Sequence, residues 1–263
     1  MKYIMVTGAY GGMGRKTVEV LKNQGFCVIA LDKTVDTPEE NVIPIKADVT
    51  DSNSVEHAFE TVRGFTDELY AIVHFAGVYM LDSLVEMPDE SFEKIFKVNL
   101  FGAFYVNKTF LPLLKRGSRI IITTSELAPL DPLPFTGIYA VTKSALDKYA
   151  YSLSMELQLL GIKVSVIRAG AVDTGMLSVS TDSLDRFCQK TRLYSCNAKR
   201  FKNIVDRVEA RRISTERLAQ KTQKILKKRN PKFAYGINRN PLLLILNAFP
   251  KKFQLWVIKQ VLK

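Results

Sequence analysis

Tyr139 and Lys143 stand four residues apart, so on a helix they share one face, and Ser125 lies upstream at the end of an apolar run. These residue types suit proton transfer to or from a carbonyl or hydroxyl oxygen. A free phenol has a pKa of about 10, roughly three units too high for exchange near neutrality, so about 4 kcal/mol of phenolate stabilisation is required. A neighbouring ammonium in a partly dry cleft can supply it. The serine hydroxyl would hold the reacting oxygen as an oxyanion-type donor. Taken alone, Tyr-x-x-x-Lys is a common accident and more often marks a solvated helix face. The residues that precede it separate the two readings.

The run TGAYGGMG (7–14) follows apolar Tyr3–Val6 and leads into an amphipathic stretch. Gly8, Gly12 and Gly14 let the backbone turn sharply and approach a pyrophosphate with no Cβ in the way. Tyr10 and Met13 stand in the same turn. The helix that follows presents free N–H groups and its positive dipole end to that charge. Strand, turn and helix together make a dinucleotide site of a motif that is weak by itself; a glycine-rich turn without a ligand is the plainer alternative. Asp32 closes the second strand, where an acid accepts hydrogen bonds from the adenosine ribose and repels a 2′-phosphate. Gly11 occupies a place where a basic side chain would serve that phosphate. NAD is therefore expected over NADP, with Lys33 the one residue pointing the other way. Asp48 and Val49 follow the third strand and are expected to frame the adenine. Ala76 and Gly77 follow the fourth and leave the dinucleotide room.

Positioning these groups requires alternating elements. Apolar runs rich in Val, Ile and aromatics recur at 2–6, 27–31, 42–46, 70–75, 119–124, 163–168 and, more weakly, 232–236. They are nearly continuous in apolar residues, as strands covered on both faces should be. Between them, 13–24, 52–64, 89–115 and 139–160 carry helical periodicity. Asp51 or Ser52 is expected to cap the second helix, and Asp89 with Glu93 to open the third. The fold expected is α/β, a single-domain, doubly wound parallel sheet of about seven strands in Rossmann-like arrangement, with a helical C-terminal extension. The boundaries expected are 1–240 for the dinucleotide-binding domain and 241–263 for the amphipathic extension.

With 263 residues and no Pro/Gly/Ser-rich linker, the chain can bury one full core. Three cysteines and two histidines without ligand spacing argue against both a disulfide framework and a metal site, so no metal is expected, and the compartment expected is reducing and cytoplasmic. No signal peptide or membrane span is read from the sequence. The net charge of +12 is local: residues 186–263 hold 21 Lys/Arg against three Asp/Glu, while 1–185 are net acidic. A basic end implies a local anionic partner rather than a nucleic-acid surface, because stacking aromatics are not interleaved with these cations.

As a set, the residues resemble the short-chain dehydrogenase/reductase family from Lys2 to about Thr174. The family's TG-x-x-x-G-x-G appears as Thr7, Gly8, Gly12 and Gly14, and its N-N-A-G element as His74, Phe75, Ala76 and Gly77. Asn99, in KVNLFG, falls where the fourth catalytic residue would stand beside Ser125, Tyr139 and Lys143. RAGAVDT (168–174) resembles the segment that meets the nicotinamide carboxamide through the positions of Val172 and Thr174. The resemblance implies Tyr139 as acid/base, Ser125 on the substrate oxygen, Lys143 lowering the tyrosine pKa and binding the ribose, and Asn99 holding a water. His74 and Phe75 in place of two asparagines, and Ala169 in place of a proline, depart from the pattern; His74 reads as a core residue.

By the same analogy, 175–212 should form a lid, with Met176, Leu177, Leu184 and Phe187 lining an apolar pocket together with Leu127, Leu133 and Phe135. Such residues equally well pack a domain. The lining favours a lipophilic secondary alcohol or ketone, a hydroxysteroid above all. PLLLILNAF and KKFQLWVIKQVLK, broken at Pro250, carry an apolar stripe with lysine flanks and Trp256, which suits a helix lying on an anionic membrane surface. A flap over the pocket or a subunit interface are the alternatives for 241–263. A homodimer or homotetramer built on the helices after strands four and five is what the resemblance implies. The rival function, different in class, is a non-catalytic dinucleotide sensor or scaffold that kept the fold.

Overall fold

A computed structural model describes the backbone of residues 1–208 and 212–263, and the side chains outside 175–182 and 206–211. The chain runs β1 (Lys2–Thr7), α1 (Gly12–Lys22), β2 (Phe26–Asp32), β3 (Val42–Lys46), α2 (Ser52–Arg63), β4 (Leu69–His74), α3 (Asp89–Phe96), a π-helical turn (Lys97–Phe101), α4 (Gly102–Phe110), β5 (Leu114–Thr123) and α5 (Gly137–Leu157). It continues through β6 (Lys163–Ala169), β7 (Val172–Asp173), α6 (Gly175–Lys190), α7 (Ser195–Val208), β8 (Ile213–Ser214), α8 (Thr215–Leu226), β9 (Ala234–Ile237), α9 (Pro241–Asn247) and α10 (Lys251–Leu262).

Seven strands pair in the order β3-β2-β1-β4-β5-β6-β9, every pair parallel. The seven apolar runs all become these strands. Burial on both faces explains their composition: Ile4, Met5 and Val6 alternate sides yet are all fully buried. One face packs under α2, α4 and α5 around Ile72, Val106, Phe110 and Leu146. The other packs under α1 and α8 around Val18, Leu21, Leu218 and Ile225. The strand order reverses direction between β1 and β4, which opens a crevice at their carboxyl ends.

Three local departures from the sequence reading matter for the site. The periodic stretch 89–115 is not one helix: a π turn interrupts it at Lys97–Phe101, and β5 begins at Leu114. Asp51 does cap α2, its side chain accepting from Asn53 N–H at 3.0 Å, whereas α3 is preceded by Pro88 and Asp89 lies within its first turn, where its charge faces the helix dipole. A two-stranded parallel pair, β7 with β8, links the segment after β6 to the start of α8.

Candidate active site

The crevice holds a groove of about 1020 Å³ at the carboxyl ends of β1, β2, β3 and β4. Gly8, Tyr10, Gly12, Met13, Gly14, Asp32, Asp48, Val49, Phe75, Ala76, Gly77 and Thr174 all line it. The glycine turn has no room for side chains. Gly8 sits at φ +65°, and a Cβ there would lie 2.6 Å from Ala76 N; one on Gly14 would lie 2.0 Å from Gly8 O. Across the groove, Thr174 packs on Gly12, where a Cβ would meet its side chain at 2.8 Å. Asp32 Oδ2 accepts the Tyr10 N–H at 2.9 Å and Oδ1 accepts the Lys33 N–H at 2.7 Å, which fixes the carboxylate at the rim. Lys33 is engaged elsewhere, in an ion pair with Asp48 at 2.9 Å. A bare backbone cradle at a helix N-terminus, with a fixed acid at the end of β2, fits a dinucleotide.

A second cavity, of about 980 Å³, meets this groove at Met13, Phe75, Gly77, Val78, Tyr79 and Thr174. Ser125, Tyr139, Lys143 and Val172 lie on its side of the junction. Tyr139 and Lys143 come from one face of α5, and Ser125 follows β5. The Ser125 hydroxyl accepts the Leu127 N–H at 3.2 Å and stands close enough to the Tyr139 hydroxyl to act on its acidity. Lys143 Nζ donates to Thr123 O at 3.2 Å and stands 5.8 Å from the centroid of the Tyr139 ring. The acidities run against the expected lowering of the phenol. Burial pushes Tyr139 up to about 12, opposed by the nearby Ser125 hydroxyl and with help from Glu126, and burial pushes Lys143 down to about 8. Desolvation is therefore the largest influence on both groups in the chain alone.

Asn99 is buried outside both cavities, in the π turn. Its Oδ1 accepts from Val78 N–H at 2.8 Å, and its Nδ2 donates to Val78 O and to Thr142 Oγ1. A Cβ on Gly77 would fall 3.3 Å from Asn99 Oδ1 and 3.4 Å from Lys143 Nζ, so both side chains reach that glycine. The irregular helical turn is what aims Asn99 at this loop.

The lid and the tail complete the second cavity. Glu86 accepts from Thr191 Oγ1 at 2.6 Å, Arg192 N–H at 2.9 Å and Leu193 N–H at 3.2 Å, tying the end of α6 to the loop after β4. Leu127 and Leu133 line the cavity. Phe135 turns away from it: at φ +62° its ring enters a separate cluster, 4.7 Å from Phe187 and 5.5 Å from Phe201, with Leu184 and Leu262 nearby. The expected pocket residues Met176 and Leu177 lie outside the described side chains. The widest wall is the tail, including Leu243, Leu246, Phe249, Val257 and Ile258. Polar contacts latch it to the loop after Ser125: Asp131 N–H donates to Asn247 Oδ1 at 2.6 Å, and Asp131 Oδ2 accepts from Gln254 at 3.1 Å. Sequence reasoning passed over Tyr79, Glu126 and this latch. Only Glu126, beside Ser125, carried a signal that a reader of the sequence would have found.

The chain matches the short chain dehydrogenase family over residues 2–185. It belongs to that family. It is 26% identical over 254 residues to the 3-ketodihydrosphingosine reductase of Bacteroides thetaiotaomicron, covering 95% of this chain and 92% of the relative. It is 30% identical to the NADPH-dependent 1-acyldihydroxyacetone phosphate reductase of Schizosaccharomyces pombe, over 67% of this chain and 62% of that one. Against mouse estradiol 17-beta-dehydrogenase 2 the identity is 33%, over 66% of this chain and 49% of the relative. A short chain dehydrogenase family protein of Francisella tularensis shares the fold, with a TM-score of 0.75 at 22% identity over 90% of this chain and 97% of that structure.

As a short-chain dehydrogenase the protein is an oxidoreductase of a class that uses NAD(H) or NADP(H). Its departures from the family pattern are accommodated locally. His74 is buried between Thr7 and Asn107, with Nε2 2.8 Å from Asn107 Oδ1, and burial pushes its pKa down to about 4, so it is a neutral core group. Ala169 remains in strand β6, paired with Ile237, and its carbonyl takes the Glu126 N–H at 2.9 Å, so the turn is braced without a proline ring. Among the described residues no helix is long and apolar enough to cross a membrane.

Proposed function

We propose that this protein interconverts a lipophilic ketone and its secondary alcohol with NAD, the substrate being a hydroxysteroid or a long-chain keto-lipid. The observation that carries the reading is the continuity of the two cavities: a glycine-cradled groove opens at Met13 and Gly77 into an apolar chamber lined by Ser125, Tyr139 and Lys143. The two relatives named for keto-lipids, one of them matched over 95% of this chain, support a lipophilic substrate, as does the relative named for estradiol.

Bound in the groove, the nicotinamide supplies a hydride to the carbonyl carbon or takes one from the alcohol. In reduction, Tyr139 gives its proton to the carbonyl oxygen while Ser125 donates to the same oxygen. Lys143, with its ammonium pushed down to about 8, is the adjacent group able to return a proton near neutrality, and it would bind the nicotinamide ribose. Val172 and Thr174, which line the chamber, would hold the nicotinamide, and Asn99 fixes the Val78 backbone at the junction of the two cavities. Asp32 favours NAD by opposing a 2′-phosphate. Steroid, retinoid, long-chain and short-chain ketones and alcohols, offered with NAD(H) and with NADP(H) and followed by the absorbance of reduced nicotinamide, test this. Tight coenzyme binding without turnover across that panel would support the sensor or scaffold reading instead.

Assembly and location belong to the same proposal. Phe101, Phe104, Val141, Tyr151 and Met155 are exposed on or beside α4 and α5, an apolar face suited to a homodimer or homotetramer. Leu255 and Trp256 point away from the chamber, 70% and 57% exposed, among Lys251, Lys252 and Lys259, which suits peripheral contact with an anionic membrane at the cytoplasmic surface. Partition onto anionic vesicles should weaken in Trp256→Glu; unchanged partition removes α10 as the contact.

A further inference from the structure

This inference rests on the ketone-reductase reading and concerns what stands next to the reacting carbon. Glu126 follows Ser125 directly, and it is the one acidic side chain among the described residues that line the substrate chamber. Its Oε2 accepts the Asn240 N–H at 2.5 Å. No hydrogen-bond donor meets Oε1 among the described residues, and Gly170 leaves that oxygen uncovered, since a Cβ there would lie 3.0 Å from it. Arg239, exposed at the rim, acts on Glu126 through its field but forms no ion pair with it. Burial raises the Glu126 pKa, the Asn240 bond and Arg239 opposing that rise, and the carboxylate is close enough to act on the Tyr139 phenol. A carboxylate in an apolar chamber is costly unless a partner meets it. The proton-transfer set makes no use of it.

We propose that Glu126 is a specificity residue that receives an ammonium group on the carbon next to the reacting one, so that the substrate class is long-chain 2-amino ketones and the matching amino alcohols. The order of residues follows the order of atoms. Ser125 and Tyr139 hold the reacting oxygen, the next residue meets the neighbouring substituent, and the hydrocarbon fills the volume against α9 and α10. An ammonium brings three donors and the missing charge, whereas a hydroxyl brings a donor alone. A phosphate or carboxylate at this position is repelled.

The test compares kcat/KM for a long-chain 2-amino ketone, the 2-hydroxy ketone and the unsubstituted ketone of equal chain length. Wild-type protein should prefer the amino ketone over the unsubstituted one by about ten- to hundredfold, as expected for a hydrogen bond to a charged group. In Glu126→Gln, which keeps the shape and an acceptor for Asn240, that ratio should fall to near one, chiefly through KM. A purely structural role would depress all three ketones alike and leave the ratio standing. A second measurement needs no variant: a long-chain primary amine, below its micelle concentration, should inhibit reduction of the unsubstituted ketone at least tenfold better than the alcohol of equal length. Equal preference in the wild type, an unchanged ratio in the variant, or equal inhibition overturns the assignment of Glu126. Failure of the wild type to reduce any of the three ketones, by contrast, sinks the ketone-reductase reading itself.

Discussion

The glycine turn and the C-terminal tail enclose the same reaction space by opposite means. Around Gly8 and Gly14 the fit is set by backbone atoms, and at Gly12 by the Thr174 side chain, leaving no space for a single carbon. Along α9 and α10 the wall is a sum of interchangeable apolar side chains, held to the rest of the chain by a few polar contacts at Asp131, Glu126 and Asn197. The first kind of surface selects one ligand geometry, and the second selects a class of ligand by its area. One molecule thus reads its coenzyme atom by atom and its substrate in bulk, with the Ser125–Tyr139 pair at the seam.

That contrast can be broken at several points. Tyr139→Phe should lower ketone reduction by about a thousandfold, within the range for a lost general acid, while coenzyme binding measured by fluorescence is retained. Full activity in this variant would end the assignment. His74 belongs to the rigid half and reports on it through pH. Its folded pKa of about 4 lies below the ordinary 6.5, so the folded state disfavours the protonated ring. Stability is then complete above pH 6.5 and falls as the pH drops from 6.5 towards 4, by about 3 kcal/mol in all. Denaturant titrations at pH 7 and pH 4.5 should show this loss, and His74→Asn should show less of it. Gly14→Ala, which drives a methyl group against Gly8 O, should cost about 1–3 kcal/mol of stability and weaken coenzyme binding with it. The smallest effect is expected in the soft wall: Leu246→Ala should raise KM for a long-chain ketone severalfold with kcat preserved, since one apolar residue contributes about 1–3 kcal/mol or less. If Leu246→Ala damaged the reaction as deeply as Tyr139→Phe, the distinction between the two surfaces would fail.

The same contrast explains what could be read from residue order. Continuous apolar runs have one physical meaning in an alternating chain, so the seven strands were legible, and a glycine turn between a strand and a helix has few uses, so the groove residues were too. The π turn at Lys97–Phe101 was not legible, because one shifted hydrogen bond leaves the apolar rhythm of 89–115 intact. Phe135 looked like a pocket residue because its type is right; its positive φ, invisible in the sequence, sends the ring into the lid cluster. The tail's stripe announced that something covers it without saying what, and here the catalytic chamber does so on one side. The rise in the phenol's pKa in the chain alone was not legible, because an i, i+4 lysine says nothing of how far burial strips both groups of water.

Leu262 carries a practical consequence. It is only 7% exposed, it shares a cluster with Leu184 and Phe201, and its carbonyl accepts from Asn197 Nδ2 at 2.7 Å. Leu262→Asp would therefore loosen α10 from α7, and such a variant would lose affinity for greasy ligands while its proton relay stayed whole.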